Sequence, residues 1–167
     1  MTTIDELVYL LEGAFSGAGS EASDESQALL VNLSSVNERM WRAVPVGGAR
    51  SVESIALHVG ACTIMYDEYA FGAGALTWDD QSWLPWSEGN APMGATIEWL
   101  QVVHRRFVDH VRALHDADLE ELRPSNWGDL RETRWLISVM LQHDVYHAGE
   151  VNHLRSIIVA DDRWRWG

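Results

Sequence analysis

The sequence of 167 residues predicts a single-domain, all-α protein, a four-helix bundle with a short extra N-terminal helix and long crossover connections. Apolar residues recur at three- and four-residue steps in five segments, which is the spacing of one buried helix face. No segment shows the alternation of apolar and polar residues that is typical of a strand. The length suits one domain over residues 1–167, with enough chain to bury a core.

The first two predicted helices lie in the N-terminal quarter of the chain. Thr3, followed three residues later by Glu6, predicts a capping box that opens a short helix ending near Phe15. A glycine- and serine-rich loop follows. Five apolar residues at helical steps then predict a second helix from about Asp24 to Arg42: Leu29, Leu30, Leu33, Val36 and Met40.

Three longer helices are predicted over residues 51–71, 95–114 and 131–159. Ser51 is suited to cap the first of them, because its hydroxyl can accept a hydrogen bond from a free amide of the first turn. The connection at 73–93 is unusually long, and such loops are generally functional or interfacial. Its tryptophan-rich part, residues 78–90, is therefore predicted either to cover a pocket or to lie in a dimer interface.

Composition and charge restrict the classes of partner. The formal net charge is −13 and the chain contains no lysine, which argues against nucleic acid and against anionic membranes. No apolar run approaches the roughly 20 residues of a membrane span. Cys62 is the only cysteine, so a disulfide framework is excluded. The N-terminus shows no secretion signal, and we expect a cytoplasmic protein.

Three histidines occupy positions where a buried apolar residue is expected. His143 and His147 are four residues apart, roughly 6 Å along a helix and nearly on one face, so both imidazoles can point at one ion. His58 lies in the apolar stripe of its own helix. Buried imidazoles are costly unless they are hydrogen-bonded or bound to metal. We therefore predict a site for one divalent metal ion, with ordinary core histidines as the alternative.

The segments SVESIALHVGACTIMYDEYAFG and MLQHDVYHAGEVNHLR resemble those of the DinB-like superfamily of bacterial metal-binding helix bundles. The resemblance runs from about residue 26 to 158. It implies that His58, His143 and His147 are the metal ligands, for zinc or nickel, and that the protein is a homodimer. It also implies a relation to transferases and isomerases that use mycothiol or bacillithiol, low-molecular-weight thiols.

The chemistry of such a site leaves several functions open. Three neutral ligands leave a divalent ion strongly Lewis-acidic, able to activate a thiol or a water molecule. We expect a metal-dependent enzyme acting on a small molecule, with thiol-dependent S-transfer favoured over metal-assisted hydrolysis. A structural metal, in a bundle that is not an enzyme, is the third alternative.

The neighbours of the three histidines give further candidates. Glu150 is the candidate catalytic base, because it lies one turn beyond His147. Cys62, one turn beyond His58, is interpreted as a small buried residue rather than a ligand. Asp144 and His104 are both expected to lie on exposed helix faces.

Overall fold

The structure is a computed structural model that describes residues 2–17 and 27–161. Within these ranges six α-helices account for most residues, so the predicted all-helical bundle is confirmed. A short 3-10 helix, Asp116–Glu120, and a two-stranded hairpin, β1 Leu122–Pro124 and β2 Leu130–Glu132, precede the last α-helix. The α-helices are α1 Thr3–Ser16, α2 Leu29–Leu33, α3 Glu38–Trp41, α4 Val52–Phe71, α5 Met93–Arg112 and α6 Thr133–Val159. None of the helices in these ranges has both the length and the hydrophobicity that crossing a membrane requires.

The N-cap of helix α1 lies one residue earlier than predicted, at Thr2. The Thr2 hydroxyl accepts a hydrogen bond from the Asp5 amide at 3.1 Å, and the Asp5 carboxylate accepts one from the Thr2 amide at 2.8 Å. The capping box predicted at Thr3 and Glu6 is therefore shifted by one position, since aspartate closes the box here as well as glutamate would. The helix ends at Gly17, whose φ of 77° is a left-handed value that glycine adopts without strain.

The predicted second helix, residues 24–42, is wrong for its described part. Helices α2 and α3 are separate, and the chain between them carries small polar side chains. Ser35 donates through its hydroxyl to the Asn32 carbonyl at 2.6 Å, and Asn37 accepts hydrogen bonds from two amides at the start of α3. Such local bonds compete with the helical pattern and restart the chain in a new direction. The predicted start at Asp24 lies outside the described residues.

The long helices follow the prediction closely. Ser51 caps α4 by accepting a hydrogen bond from the Ser54 amide at 3.1 Å, and α4 ends at Phe71. Gly60 allows α4 to approach α5, since an added Cβ would meet the Trp99 ring at 2.3 Å. Helix α4 packs against α5 and α6, and α1 closes the bundle against the same two helices.

The expectation of no strands is wrong at one place. Strands β1 and β2 pair in antiparallel register, with Arg123 opposite Arg131. Each strand has only three residues, too few for a periodic signal in the sequence. The turn between the strands lies beside α4, because the Trp127 indole nitrogen donates to the Tyr66 hydroxyl at 3.2 Å.

The apolar core consists of two clusters with polar residues between them. One cluster contains Trp41, Ile55 and Val151, and the other contains Phe107 and Met140. Both clusters include residues of α4, α5 and α6, and the intervening turns of α5 and α6 carry buried polar side chains. These side chains are His104, Asp144 and His147.

Candidate metal centre

The bundle brings three histidines from two helices to one point, as predicted. His58 of α4 and His143 of α6 are 85 residues apart in sequence, yet their Nε2 atoms are 3.3 Å apart. The Nε2 atoms of His143 and His147 are 3.2 Å apart. One ligand atom from each of the three side chains lies within 4.8 Å of the other two. These three residues are called the histidine cluster below.

The distances in the histidine cluster fit a metal ion. A tetrahedral ion with metal–nitrogen bonds of roughly 2.0–2.1 Å holds its ligand nitrogens about 3.3 Å apart, close to the spacing seen here. Burial lowers the pKa of His58 to about 4 and that of His143 to about 3. The imidazoles are therefore neutral near pH 7 and present lone pairs, which are what a metal requires. The cluster is suited to hold a metal ion.

Glu150 determines which nitrogen of His147 faces the cluster. Its Oε2 is 2.7 Å from Nδ1 of His147, which donates the hydrogen bond and leaves the Nε2 lone pair directed at His143. The other carboxylate oxygen of Glu150 is 3.5 Å from the Arg50 guanidinium. Burial is the main reason that the pKa of His147 is lowered, and the bond to Glu150 opposes that shift.

The predicted role of Glu150 as a base differs from the role that its position supports. The carboxylate contacts the Nδ1 side of the His147 ring, which points away from the Nε2 atoms that meet in the cluster. Its contact is that of a residue that orients a ligand. A proton-accepting role for Glu150 stays a prediction.

Cys62 lies beside the histidine cluster without belonging to it. Its sulfur is 3.6 Å from Nε2 of His58, but it is not part of the group of ligand atoms that converge. In the metal-free chain, burial raises the pKa of this thiol to about 12, which keeps it protonated. Its position agrees with its interpretation as a small buried residue.

Two cavities flank His58. The first, the Arg50 cavity, has a volume of about 450 Å³ and includes the polar side chains of Arg50, Ser54 and Gln81. The second, the Trp127 cavity, has a volume of about 480 Å³ and is walled largely by apolar and aromatic side chains. It is lined by His58, Cys62, Tyr66, Trp78, Asn126, Trp127, Val139 and His143. Trp78 and His58 line both cavities, so both adjoin the histidine cluster at His58.

The tryptophan-rich loop forms part of the wall of these cavities. Its far end is held by Glu53, a buried carboxylate that accepts hydrogen bonds from the amides of Ala91 at 2.7 Å and Gly89 at 3.1 Å. The Trp41 indole nitrogen donates to the Ala91 carbonyl at 2.9 Å. Loop residues such as Trp78 and Trp86 line the Arg50 cavity, and a place for residues 78–90 in a dimer interface stays a prediction.

A family model described as the DinB superfamily matches residues 21–151. This range is most of the chain and contains all three histidines of the cluster. The chain belongs to the DinB superfamily. No curated protein matches it.

Two expectations about polar residues of this DinB superfamily chain are wrong. Asp144 and His104 are buried rather than exposed, with 3.9 Å between the carboxylate and Nδ1 of the imidazole. Burial raises the pKa of Asp144 to about 8 and lowers that of His104 to about 4. The His104 ring stacks on Phe15 of α1, with ring centroids 3.8 Å apart. This contact with the N-terminal helix is what covers His104.

Three residues near the histidine cluster were not singled out from the sequence as candidates. Arg50 directly precedes the Ser51 cap, and a charged residue just before a helix is ordinarily expected to be solvated, so its sequence position gives no sign of a cavity. Asn126 and Trp127 lie in the hairpin turn, and a turn sequence carries no signal for the surface that the turn contacts. Only the packing of the hairpin against α4 brings them to the cavity.

Proposed function

We propose that this protein is a metal-dependent enzyme that transfers a group between two small molecules, one of them a low-molecular-weight thiol. The observation that carries the proposal is the pair of cavities that share His58 and Trp78 beside the histidine cluster. A transfer needs room for two molecules, whereas hydrolysis needs room for one molecule and water. The cavities also differ in character, as expected for a polar thiol and a less polar acceptor.

The proposed cofactor is one zinc or nickel ion, since borderline imidazole ligands accept both. When bound, such an ion would supply a Lewis acid that stabilises a thiolate near neutral pH. In the transfer, the thiol sulfur forms a bond to a carbon of the acceptor. The bond to the leaving group breaks with its electron pair, and the thiol proton passes to solvent.

The residues of the chain supply orientation and shelter. Glu150 holds His147 in the tautomer that presents Nε2, and Arg50 forms an ion pair with the other oxygen of Glu150. Trp78 lines both cavities and so offers one aromatic surface to both reactants. The polar lining near Arg50 suits the hydrophilic thiol, and the aromatic lining near Trp127 suits the acceptor.

The first test is the metal content of the untagged protein, measured by plasma mass spectrometry. We expect close to one transition-metal ion per chain, lost in His147→Ala. The matched control is His153→Ala, because His153 is an exposed histidine on the same helix, outside the cluster. Equal metal content in the two variants would contradict the site.

The second test is turnover with mycothiol or bacillithiol as the thiol and 1-chloro-2,4-dinitrobenzene as the acceptor. We expect thiol-dependent product formation that disappears on chelation and in His58→Ala but survives in His153→Ala. Turnover that persists after metal removal would refute the proposal. Turnover of an ester or amide substrate without thiol would favour metal-assisted hydrolysis instead.

We also propose, on the resemblance to the superfamily, that the protein is a cytoplasmic homodimer. Light scattering on the purified full-length chain tests the dimer, and a molecular mass of one chain at micromolar concentration would refute it.

A further inference from the structure

Asn126 lines the Trp127 cavity and carries a side-chain amide that the described protein leaves unsatisfied. Neither Oδ1 nor Nδ2 of Asn126 has a hydrogen-bond partner in residues 2–17 and 27–161, and both atoms are buried. A buried amide without partners costs free energy, which a bound group with a complementary donor and acceptor recovers. Because Asn126 lines the cavity, a rotation of its side chain that turns the amide into the cavity would let a ligand satisfy both atoms through two hydrogen bonds.

The remaining walls of the cavity are suited to a flat apolar group. Tyr66, Trp78 and Trp127 contribute aromatic rings, and Val139 contributes an aliphatic side chain. A volume of about 480 Å³ lies in the range of cavities that enclose small organic ligands. Aromatic walls favour planar ligands, because rings stack or meet edge to face.

Hydrogen bonds fix the hairpin turn that carries Asn126 and Trp127. The Ser125 amide donates to the Asp129 carbonyl at 2.8 Å, and the two side chains are hydrogen-bonded to each other. The Trp127 amide donates to the Ser125 hydroxyl, and the Trp127 indole donates to Tyr66 of α4. A turn tied at both of these points presents a preformed surface, so little ordering is needed when a ligand binds.

We propose that the Trp127 cavity binds a planar, largely apolar molecule that carries a primary amide or an equivalent donor–acceptor edge, and that Asn126 recognises this edge. Identifying this molecule as the acceptor rests on the proposed transferase function, because the cavity adjoins His58 and His143. Recognition by Asn126 does not depend on that function. The two statements can therefore fail separately.

The experiment is a ligand-observed NMR titration of the full-length protein, metal-free and zinc-loaded, with benzamide and with toluene. Benzamide carries the ring and the amide edge, whereas toluene carries the ring alone. We expect Asn126→Leu to raise the Kd of benzamide about tenfold, as the loss of two hydrogen bonds implies. The Kd of toluene should change less than about threefold, because leucine keeps the wall apolar.

Two further variants make the result specific. Val139→Trp places a large side chain in the cavity and should abolish the binding of both probes. Asn152→Leu is the matched control, since Oδ1 of Asn152 is also buried without a partner but lines neither this cavity nor the Arg50 cavity. It should leave both Kd values unchanged. Circular dichroism melting establishes that each variant is folded.

Several results would overturn the inference. The first is an equal Kd of benzamide for the wild type and for Asn126→Leu. The second is binding of either probe by Val139→Trp, and the third is the absence of benzamide binding up to its solubility limit. If benzamide binds as expected but no thiol transfer is found, the proposed function fails and the recognition stands. If thiol transfer to an amide-bearing aromatic acceptor is equally fast in Asn126→Leu, the identification of that acceptor fails.

Discussion

Replacing Glu150 with glutamine tests how the histidine cluster is oriented. The carboxylate accepts the Nδ1 proton of His147 at 2.7 Å and so keeps the Nε2 lone pair directed at the cluster. Glutamine has nearly the same shape but is neutral, and its amide can turn its NH₂ group toward Nδ1. Loss of a carboxylate that orients a metal-bound histidine typically weakens metal affinity about 10- to 100-fold. We expect Glu150→Gln to raise the Kd for zinc about tenfold, a change of about 1.4 kcal/mol.

The assay is a zinc titration in competition with a chromophoric chelator. Glu98→Gln is the control, since it makes the same substitution at an exposed position of α5. Arg50→Gln separates orientation from charge, because it removes the ion pair to Glu150 but leaves the bond to His147. We expect Arg50→Gln not to weaken zinc binding. A Kd for zinc in Glu150→Gln within about threefold of the Glu98→Gln value would refute the orienting role.

Three further predictions concern protons, burial and packing. Burial lowers the pKa of His58 to about 4 and that of His143 to about 3, and it also lowers the pKa of His147. Zinc binding at pH 7 should therefore release almost no protons, and calorimetry in buffers of different ionisation enthalpy would show a release of one or more if this were wrong. His104 has a pKa of about 4 in the folded protein and about 6.5 in the unfolded chain, so it binds its proton mainly in the unfolded state. Acidification from pH 7 to 4 should therefore destabilise the metal-free wild type relative to His104→Gln by at most about 3 kcal/mol. Denaturant unfolding at several pH values measures this difference, and its absence would contradict the burial of His104 as a neutral ring. Gly60→Ala should destabilise the protein by about 1–3 kcal/mol, because the new Cβ clashes with Trp99. Gly149→Ala places its new Cβ with no atom within 4 Å, and it should stabilise the protein by roughly 0.5–1 kcal/mol in the same assay. A Gly60→Ala protein as stable as the wild type would contradict the close approach of α4 and α5.

The sequence by itself determined the features that depend on local geometry. The Ser51 cap and the apolar periodicity predict α4 nearly to the residue, because a helix repeats every 3.6 residues and its end groups need partners. The i, i+4 spacing of His143 and His147 likewise requires only that the segment be helical. The prediction of one helix failed in its described part, residues 27–42, where apolar spacing continues through a break made by side-chain hydrogen bonds.

Only the tertiary structure decided which distant residues meet. We predicted that His58 completes the histidine cluster from its place in an apolar stripe and from the resemblance. The 3.3 Å distance between the Nε2 atoms of His58 and His143, however, exists because α4 packs on α6. The burial of His104 depends on Phe15 of α1, and the presence of Asn126 in a cavity depends on a hairpin of three-residue strands. Helical geometry relates residues within one or two turns of each other. Contacts between separate elements depend on how whole surfaces fit, and that fit is a property of the packed chain.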